Sequence, residues 1–350
     1  MTVINGVEVN NGVEVNNGVE VNNGIEVNNG IELNNRIELN NYKQNDIKYA
    51  IHNNEPIEPK LNIIVVISNP CLYAKRYLLF KEFIKRIEEE EEHVCVYVVE
   101  LIYKNQTFVV TDPLNKNHLQ IKTDIPIWHK ENMINLGVKL LPSDYKAFAW
   151  IDADIEFDNT SWALDTLKIL NGSKDVVQLF SHCVDMDNSG NNLMIHNGFG
   201  YSYNKGKKHK DFWHPGYAWA ITRSAYEKIG GIYDKGILGS GDSIMALSFI
   251  GRCKDIQNKD YSDGYNNSMT LYQNKAKMLR LGYTPGIIRH YYHGSKANRN
   301  YTERWKILMA HKYSPTEHLT YDSMGLLIPT ISDEFIKDIY NYFLERKEDD

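Results

Sequence analysis

Between residues 60 and 250 the chain alternates two hydrophobic patterns. Short unbroken apolar runs, LNIIVVIS (61–68), VCVYVVELIY (94–103) and AFAWID (147–152), read as strands buried on both faces. Between them, apolar positions recur at helical spacing. Tyr77, Phe80, Ile84 and Ile87 share one face of a helix over 74–89, which ends in the acidic run Glu88–Glu92 as a solvated helix end. A second helix is expected over 129–141 and an apolar one over Ser243–Ile250. Strand, helix, strand, helix predicts an α/β fold with a mostly parallel central sheet flanked by helices. Such sheets bind ligands beyond the carboxyl ends of their strands.

The first 57 residues carry another pattern. From Ile4 to Leu39 a six-residue unit repeats, INGVEV, NNGVEV, NNGIEV and on to NNRIEL, each an aliphatic alternation followed by an Asn-Asn-Gly turn signal. A hexapeptide β-solenoid and a low-complexity, weakly ordered extension both fit, and neither predicts catalysis. Residues 41–59 are polar with two prolines and read as a linker. The expected organisation is a repeat extension with linker over 1–57 and one catalytic domain over 58–350.

Composition narrows the class. The 350 residues are 42% hydrophobic and 24% charged, with net charge −6, so no basic footprint for nucleic acid is present. The four cysteines, Cys71, Cys95, Cys183 and Cys253, form no CxxC pair and read as reduced thiols. No segment has the pattern of a signal peptide or reaches the roughly 18 apolar residues of a membrane span. A soluble, cytoplasmic protein is expected.

The third strand ends in WIDADIEF, with Asp152 and Asp154 at the ligand-binding end of the sheet. In extended chain, residues i and i+2 point the same way. Two carboxylates so placed suit Mn2+ or Mg2+ held together with substrate phosphates. They equally suit capping of the next turn, with Asp158 and Asn159 beside them.

Three further segments accompany that strand end: WHKENMINLGVKLLP (128–142), FWHPGYAWAITRSAYEKIGGIYDKGILGSGDSIMA (212–246) and IIRHYYHGSKANRNYTERW (287–305). Together they resemble nucleotide-sugar-dependent glycosyltransferases of the Rossmann-like GT-A fold, of the family-two and β-galactosyltransferase kinds. In those families an N-x-G helix, a D-x-D strand end, an H-x-G-G segment, a G-G-E-D-D turn and a late metal-binding His follow in this order. The chain also looks like a group of bacterial and giant-virus glycosyltransferases with an NP…R first loop and an RKED end, here Asn69–Pro70, Arg76 and Arg346–Asp349.

The resemblance implies Mn2+ or Mg2+, a nucleotide-diphosphate sugar donor, with uridine as the expected base, and a glycan or protein acceptor. It implies Asp154 as a direct metal ligand, Asp152 toward the ribose or a metal-bound water, and His293 as the third protein contribution. His290 lies where galactosyltransferases carry a soft ligand. It reaches the metal only if its strand bends, because i and i+3 of an extended strand face opposite ways. Asp242 caps a helix or acts as general base, and its place in the motif order implies the base, hence inversion. The acidic pair of that turn is reduced, with Gly241 and Ser243 flanking Asp242. Alternative bases are Glu156, Asp185 and Asp187. Arg76, Lys130, Asn135, Gly216, Lys296 and Arg299 are expected donor contacts, with Trp213, Tyr217 and Trp219 as candidate sugar platforms, and Arg304 as a surface charge.

Two rivals differ in class. A sugar-phosphate nucleotidyltransferase would want a glycine-rich loop after the first strand, where this chain has NPCLYAKRY. A non-catalytic binding protein working through the repeats would not need Asp152, Asp154, Asp242 and His293 in this order.

Overall fold

The computed structural model describes residues 46–207, 214–294 and 303–349. The repeats, Trp213, Lys296 and Arg299 therefore lie outside the described residues.

The first described element is a helix, α1, over residues 46–53. It is followed by β1 (Leu61–Ser68), α2 (Ala74–Glu90), β2 (Val94–Tyr103), β3 (His118–Thr123), α3 (Lys130–Gly137) and β4 (Ala147–Ile151). Then come β5 (Ile155–Phe157), α4 (Trp162–Leu170), β6 (Val176–Gln178), β7 (His182–Met186), β8 (Asn192–Asn197) and α5 (Phe199–Asn204). The rest runs β9 (Ala218–Thr222), α6 (Arg223–Ile229), α7 (Gly241–Phe249), α8 (Asp263–Ala276), β10 (Leu281–Tyr283), β11 (Ile287–His290), α9 (Glu303–Ala310) and α11 (Asp333–Glu345), with α10 (Pro315–His318), β12 (Leu319–Tyr321) and β13 (Leu327–Pro329) before the last helix.

Seven strands form the central sheet in the order β10-β6-β9-β4-β1-β2-β3. All pairings are parallel except those of β9, which runs antiparallel to β4 and β6. The expected mostly parallel sheet flanked by helices is present. Its two faces account for two apolar clusters, one around Ile64, Val99, Phe148 and Trp150, the other around Ile63, Val65, Ala149 and Ile151. Alternate residues of β1 and β4 feed opposite clusters, so both faces are buried and the strand sequences are continuously apolar. A second sheet, β5-β11-β7-β8, stands beside the carboxyl end of β4. It brings β11 and β7 next to the chain leaving Asp154.

The linker reading of 41–59 is corrected at its second half. Ile47 and Ala50 of α1 are each 1% exposed within the core. Asp46 pairs with Lys174 at 2.7 Å, and the Asn54 amide donates to Lys168 O and Asn171 O. Glu58 accepts from the backbone of Ala147 at 2.9 Å. Polar composition hid this because a single-turn apolar pair, Ile47 and Ala50, is enough to dock a short helix.

Candidate active site

A cavity of about 440 Å3 opens where β1 and β4 end. Its wall includes Arg76, Lys130, Asp152, Asp154, Gly216, Asp242, His290 and His293. Those residues come from segments that are up to 217 positions apart in the chain (76 to 293), gathered by the sheet.

The two aspartates part company. Ile151 ends β4 and residues 153–154 form a turn, so the chain between the two aspartates is not the extended one expected. The Asp152 backbone N–H donates to Tyr217 O at 2.8 Å, and its carboxylate pairs with Lys130. Asp154 lines the same cavity with different partners. Its Oδ2 is 2.8 Å from His293 Nε2 and 3.7 Å from His290 Nε2, and the two Nε2 atoms are 3.4 Å apart. Donor atoms of Asp154, His290 and His293 lie within 4.8 Å of one another. Asp152, expected toward the ribose or a metal-bound water, is outside this set; it stays on the cavity wall, paired with Lys130. His290 is in it because β11 ends at that residue and 291–293 leave the strand geometry. Tyr291 N–H donates to Asp154 O at 2.8 Å, which fixes the bend against the aspartate.

This set fits a divalent cation. Asp154 Oδ1 is buried with no hydrogen-bond partner, an oxygen whose burial is costly unless something meets it. Burial opposes ionisation of Asp154, but its interactions with His290 and His293 outweigh it and hold the carboxyl well below its usual range. Two imidazole nitrogens and a carboxylate suit Mn2+ better than Mg2+, which prefers oxygen throughout.

Elsewhere on the wall, Lys130 is held charged. Burial alone would lower its pKa, but Asp152, then Glu131 and Asp242, outweigh it and raise it. Glu131 is 4% exposed, and burial pushes its carboxyl up to about 8 against the pull of Lys130. A side chain at Gly241 would run into the Glu131 carboxyl. Asp242 is the second residue of α7, not its cap: Ser240 is the N-cap, at φ 74. Asp242 Oδ1 accepts from Ser243 N at 2.7 Å. Gly216 has a steric reason to be glycine, since a Cβ there would stand 2.8 Å from Asp242 Oδ2 and 3.0 Å from His214 Cε1. Burial lowers the His214 pKa to about 3, so this ring is neutral.

Two expectations need revision, those for Asn135 and Arg304, while Arg76 keeps its place on the wall. Asn135 is not part of the cavity wall: its side chain donates to Ile232 O at 2.9 Å and accepts from Ile232 N at 2.8 Å and Tyr226 Oη at 3.0 Å, tying α3 to the turn after α6. Arg76 lines the cavity but is gripped by Glu348, its Nη2 donating at 2.7 Å, and by Ser68 O. Arg304 is not a surface charge; it and Trp305 line the cavity. Of the alternative bases, Asp185 is engaged with His290, Glu156 with Tyr291, and Asp187 with its own turn.

Glu131, Glu348 and Trp128 belong to the site or its support and carried little sequence signal. Glu131 lies beside Lys130 in the helix motif, and Glu348 within the RKED end, so both were adjacent to a signal without being one. A second group, Cys183, Asp185 and His196, also gathers donor atoms within 4.8 Å, fully buried. Its central carboxylate is committed to His290 Nδ1 at 2.9 Å and the Tyr217 hydroxyl at 3.3 Å.

No family model and no curated protein matches the chain. Among solved structures it is similar to the catalytic domain of Drosophila β1,4-galactosyltransferase 7 in complex with xylobiose. That match is 10% identical, covers 81% of this chain and 99% of that one, and has a TM-score of 0.36. It is also similar to a mannosyltransferase from Pyrobaculum calidifontis in complex with GDP-Man and Mn2+, at 12% identity, 88% and 79% coverage and TM-score 0.38. TarS of S. aureus matches at 11% identity over 82% of this chain and 71% of that one, with TM-score 0.34. These likenesses are distant, and the functional reading rests on the cavity's own residues.

Proposed function

We propose that the protein is a metal-dependent glycosyltransferase of the GT-A kind, moving a sugar from a nucleoside-diphosphate donor, with uridine as the expected base, to a hydroxyl of a glycan or protein acceptor. One observation carries this: the Asp154–His290–His293 donor set and Asp242 line one cavity, with the charged Lys130 paired to Asp152 on the same wall. Its volume of about 440 Å3 is within the range of small-molecule sites.

Asp154, His290 and His293 would hold Mn2+. When bound, that ion supplies neutralisation of the charge developing on a departing diphosphate. Lys130 adds a fixed positive charge for the same phosphates, and Asp152 positions it. The backbone at Gly216 allows a sugar ring close approach beside Asp242. Asp242 Oδ2 takes the proton of the acceptor hydroxyl as the new bond to the anomeric carbon forms. A base on the acceptor side and a leaving group on the opposite side give single displacement with inversion.

The test is binding before turnover. Thermal shift and calorimetry with UDP- and GDP-sugars, with and without Mn2+, should show stabilisation that needs both. A donor present at about 100 times its Kd would add about 2.7 kcal/mol of apparent stability. No stabilisation by any nucleotide sugar with Mn2+ present would overturn the proposal.

A further inference from the structure

Each imidazole of the donor set sits between two carboxylates. His290 turns Nε2 toward Asp154 and places Nδ1 2.9 Å from Asp185 Oδ1. His293 turns Nε2 toward Asp154 at 2.8 Å and Nδ1 toward Glu348 Oε2 at 3.6 Å. We propose that Asp185 and Glu348 are positioning residues, which fix the ring orientation and the proton-bearing nitrogen of His290 and His293 so that both Nε2 atoms face one cation. This rests on the metal reading above.

The outer carboxylates are themselves held. Asp185 is 2% exposed; its Oδ1 also accepts from the Tyr217 hydroxyl at 3.3 Å, and its Oδ2 is 3.3 Å from His196 Nε2. Glu348 is fully buried, with Arg76 Nη2 at 2.7 Å and Arg346 Nε at 2.6 Å donating to Oε1. Two guanidinium groups balance a charge that burial would otherwise disfavour. A carboxylate accepting from Nδ1–H leaves the Nε2 lone pair outward and makes it a stronger ligand.

The Glu348 arm makes the chain's last turn part of the site. Asp349 accepts from Ala74 N at 3.0 Å and Lys75 N at 2.9 Å, in the first turn of α2. The Tyr73 hydroxyl donates to Phe343 O at 2.9 Å and accepts from Lys347 N at 3.1 Å. Gly294, at φ 86 directly after His293, lies so close to this tail that a Cβ would be 2.9 Å from Lys347 O. The RKED end is thus docked against the residue following a ligand.

The experiment measures Mn2+ alone, by the EPR signal of the free ion, on the full-length wild type, Asp154→Ala, Asp185→Asn and Glu348→Gln. Nitrogen-15 NMR of histidine-labelled, metal-free protein reads the ring protonation pattern. The expected result is wild-type binding, none in Asp154→Ala, and affinity about 10–100-fold weaker in the two amide variants, with altered His290 or His293 nitrogen shifts. If the wild type binds and Asp154→Ala does not, while both amide variants bind like wild type with unchanged shifts, the positioning proposal is overturned and the metal reading stands. If the wild type takes no Mn2+, the metal reading itself is overturned, and the proposal with it. Should an amide variant fail to fold, Tyr217→Phe and Asp349→Ala loosen the same two supports. Each should weaken Mn2+ several-fold, and wild-type affinity in both would overturn the proposal.

Discussion

The two halves of the cavity are built on different terms. On the side proposed to hold the metal, His290 and His293 contact Asp185 and Glu348, and those in turn contact Tyr217, Arg76 and Arg346. Across the cavity, the hydrogen bonds of Asp242 among the described residues are with Ser243, its own neighbour, and glycines clear the space around it. Ligands to a cation must hold direction within tenths of an ångström, so their orientation is over-determined. A carboxylate that must accept a proton from an incoming hydroxyl has to stay available, and its place is set by backbone and steric clearance.

The largest expected effect comes from breaking the over-determined half. Asp154→Ala should abolish Mn2+-dependent donor binding, measured by calorimetry, while circular dichroism reports an intact fold, because the residue sits in a turn beyond the carboxyl end of β4 and not within a strand. Unchanged Mn2+ dependence in that variant would place the metal elsewhere.

Breaking the available half should act on turnover and spare binding. Asp242→Asn keeps shape but cannot take a proton, so transfer should fall about 10²–10⁴-fold with Mn2+ and donor affinity retained. NMR of the wild-type product should show the anomeric configuration opposite to the donor's. A retained configuration would sink single displacement, and near-normal transfer by Asp242→Asn would remove it as the base.

Glu131 sharpens the contrast through pH. Its folded value of about 8 lies above the ordinary 4.5 because burial penalises the charged form. The folded state therefore binds the proton more tightly, and the stability this confers is full below about 4.5 and is lost as pH rises through about 8. Glu131→Gln cannot ionise. Its melting temperature should gain on the wild type's steadily from pH 5 to 8.5, and parallel curves would show that Glu131 titrates normally.

A perturbation remote from both halves serves as the control. Removing residues 1–57 strips Ile47 and Ala50 from the core and breaks the Asp46–Lys174 pair. A cost of about 2–4 kcal/mol follows from burial of an aliphatic side chain and its neighbours, with Mn2+ affinity unchanged. Removing 1–45 stops short of those contacts and should cost under about 0.5 kcal/mol. Denaturant titration separates the two.

Much of the fold was legible because its signals are local. The apolar runs at 61–68, 94–103 and 147–152 match β1, β2 and β4 to within a residue, since strands buried on both faces must be continuously apolar. Helix α1 was not legible, because two buried side chains in a polar stretch leave no periodic trace. Asp154, Asp242 and His293 stood out by type and order, whereas Asn135 shows the weakness of order alone: it matched a motif and serves a backbone turn.

The sequence by itself determined that a mostly parallel sheet would end in carboxylates, because strand periodicity and residue type are properties of neighbours in the chain. The tertiary structure alone decided that Asp152 and Asp154 would take different partners, that His290 would join His293, and that Glu348 would reach the site from a segment far along the chain. Those outcomes depend on a two-residue turn, the end of β11 and the docking of Asp349 on α2. The partners met there, Asp154 with His293, His290 with Asp185 and Asp349 with α2, lie far apart in sequence, where side-chain direction is set by packing and hydrogen bonds that no local pattern encodes.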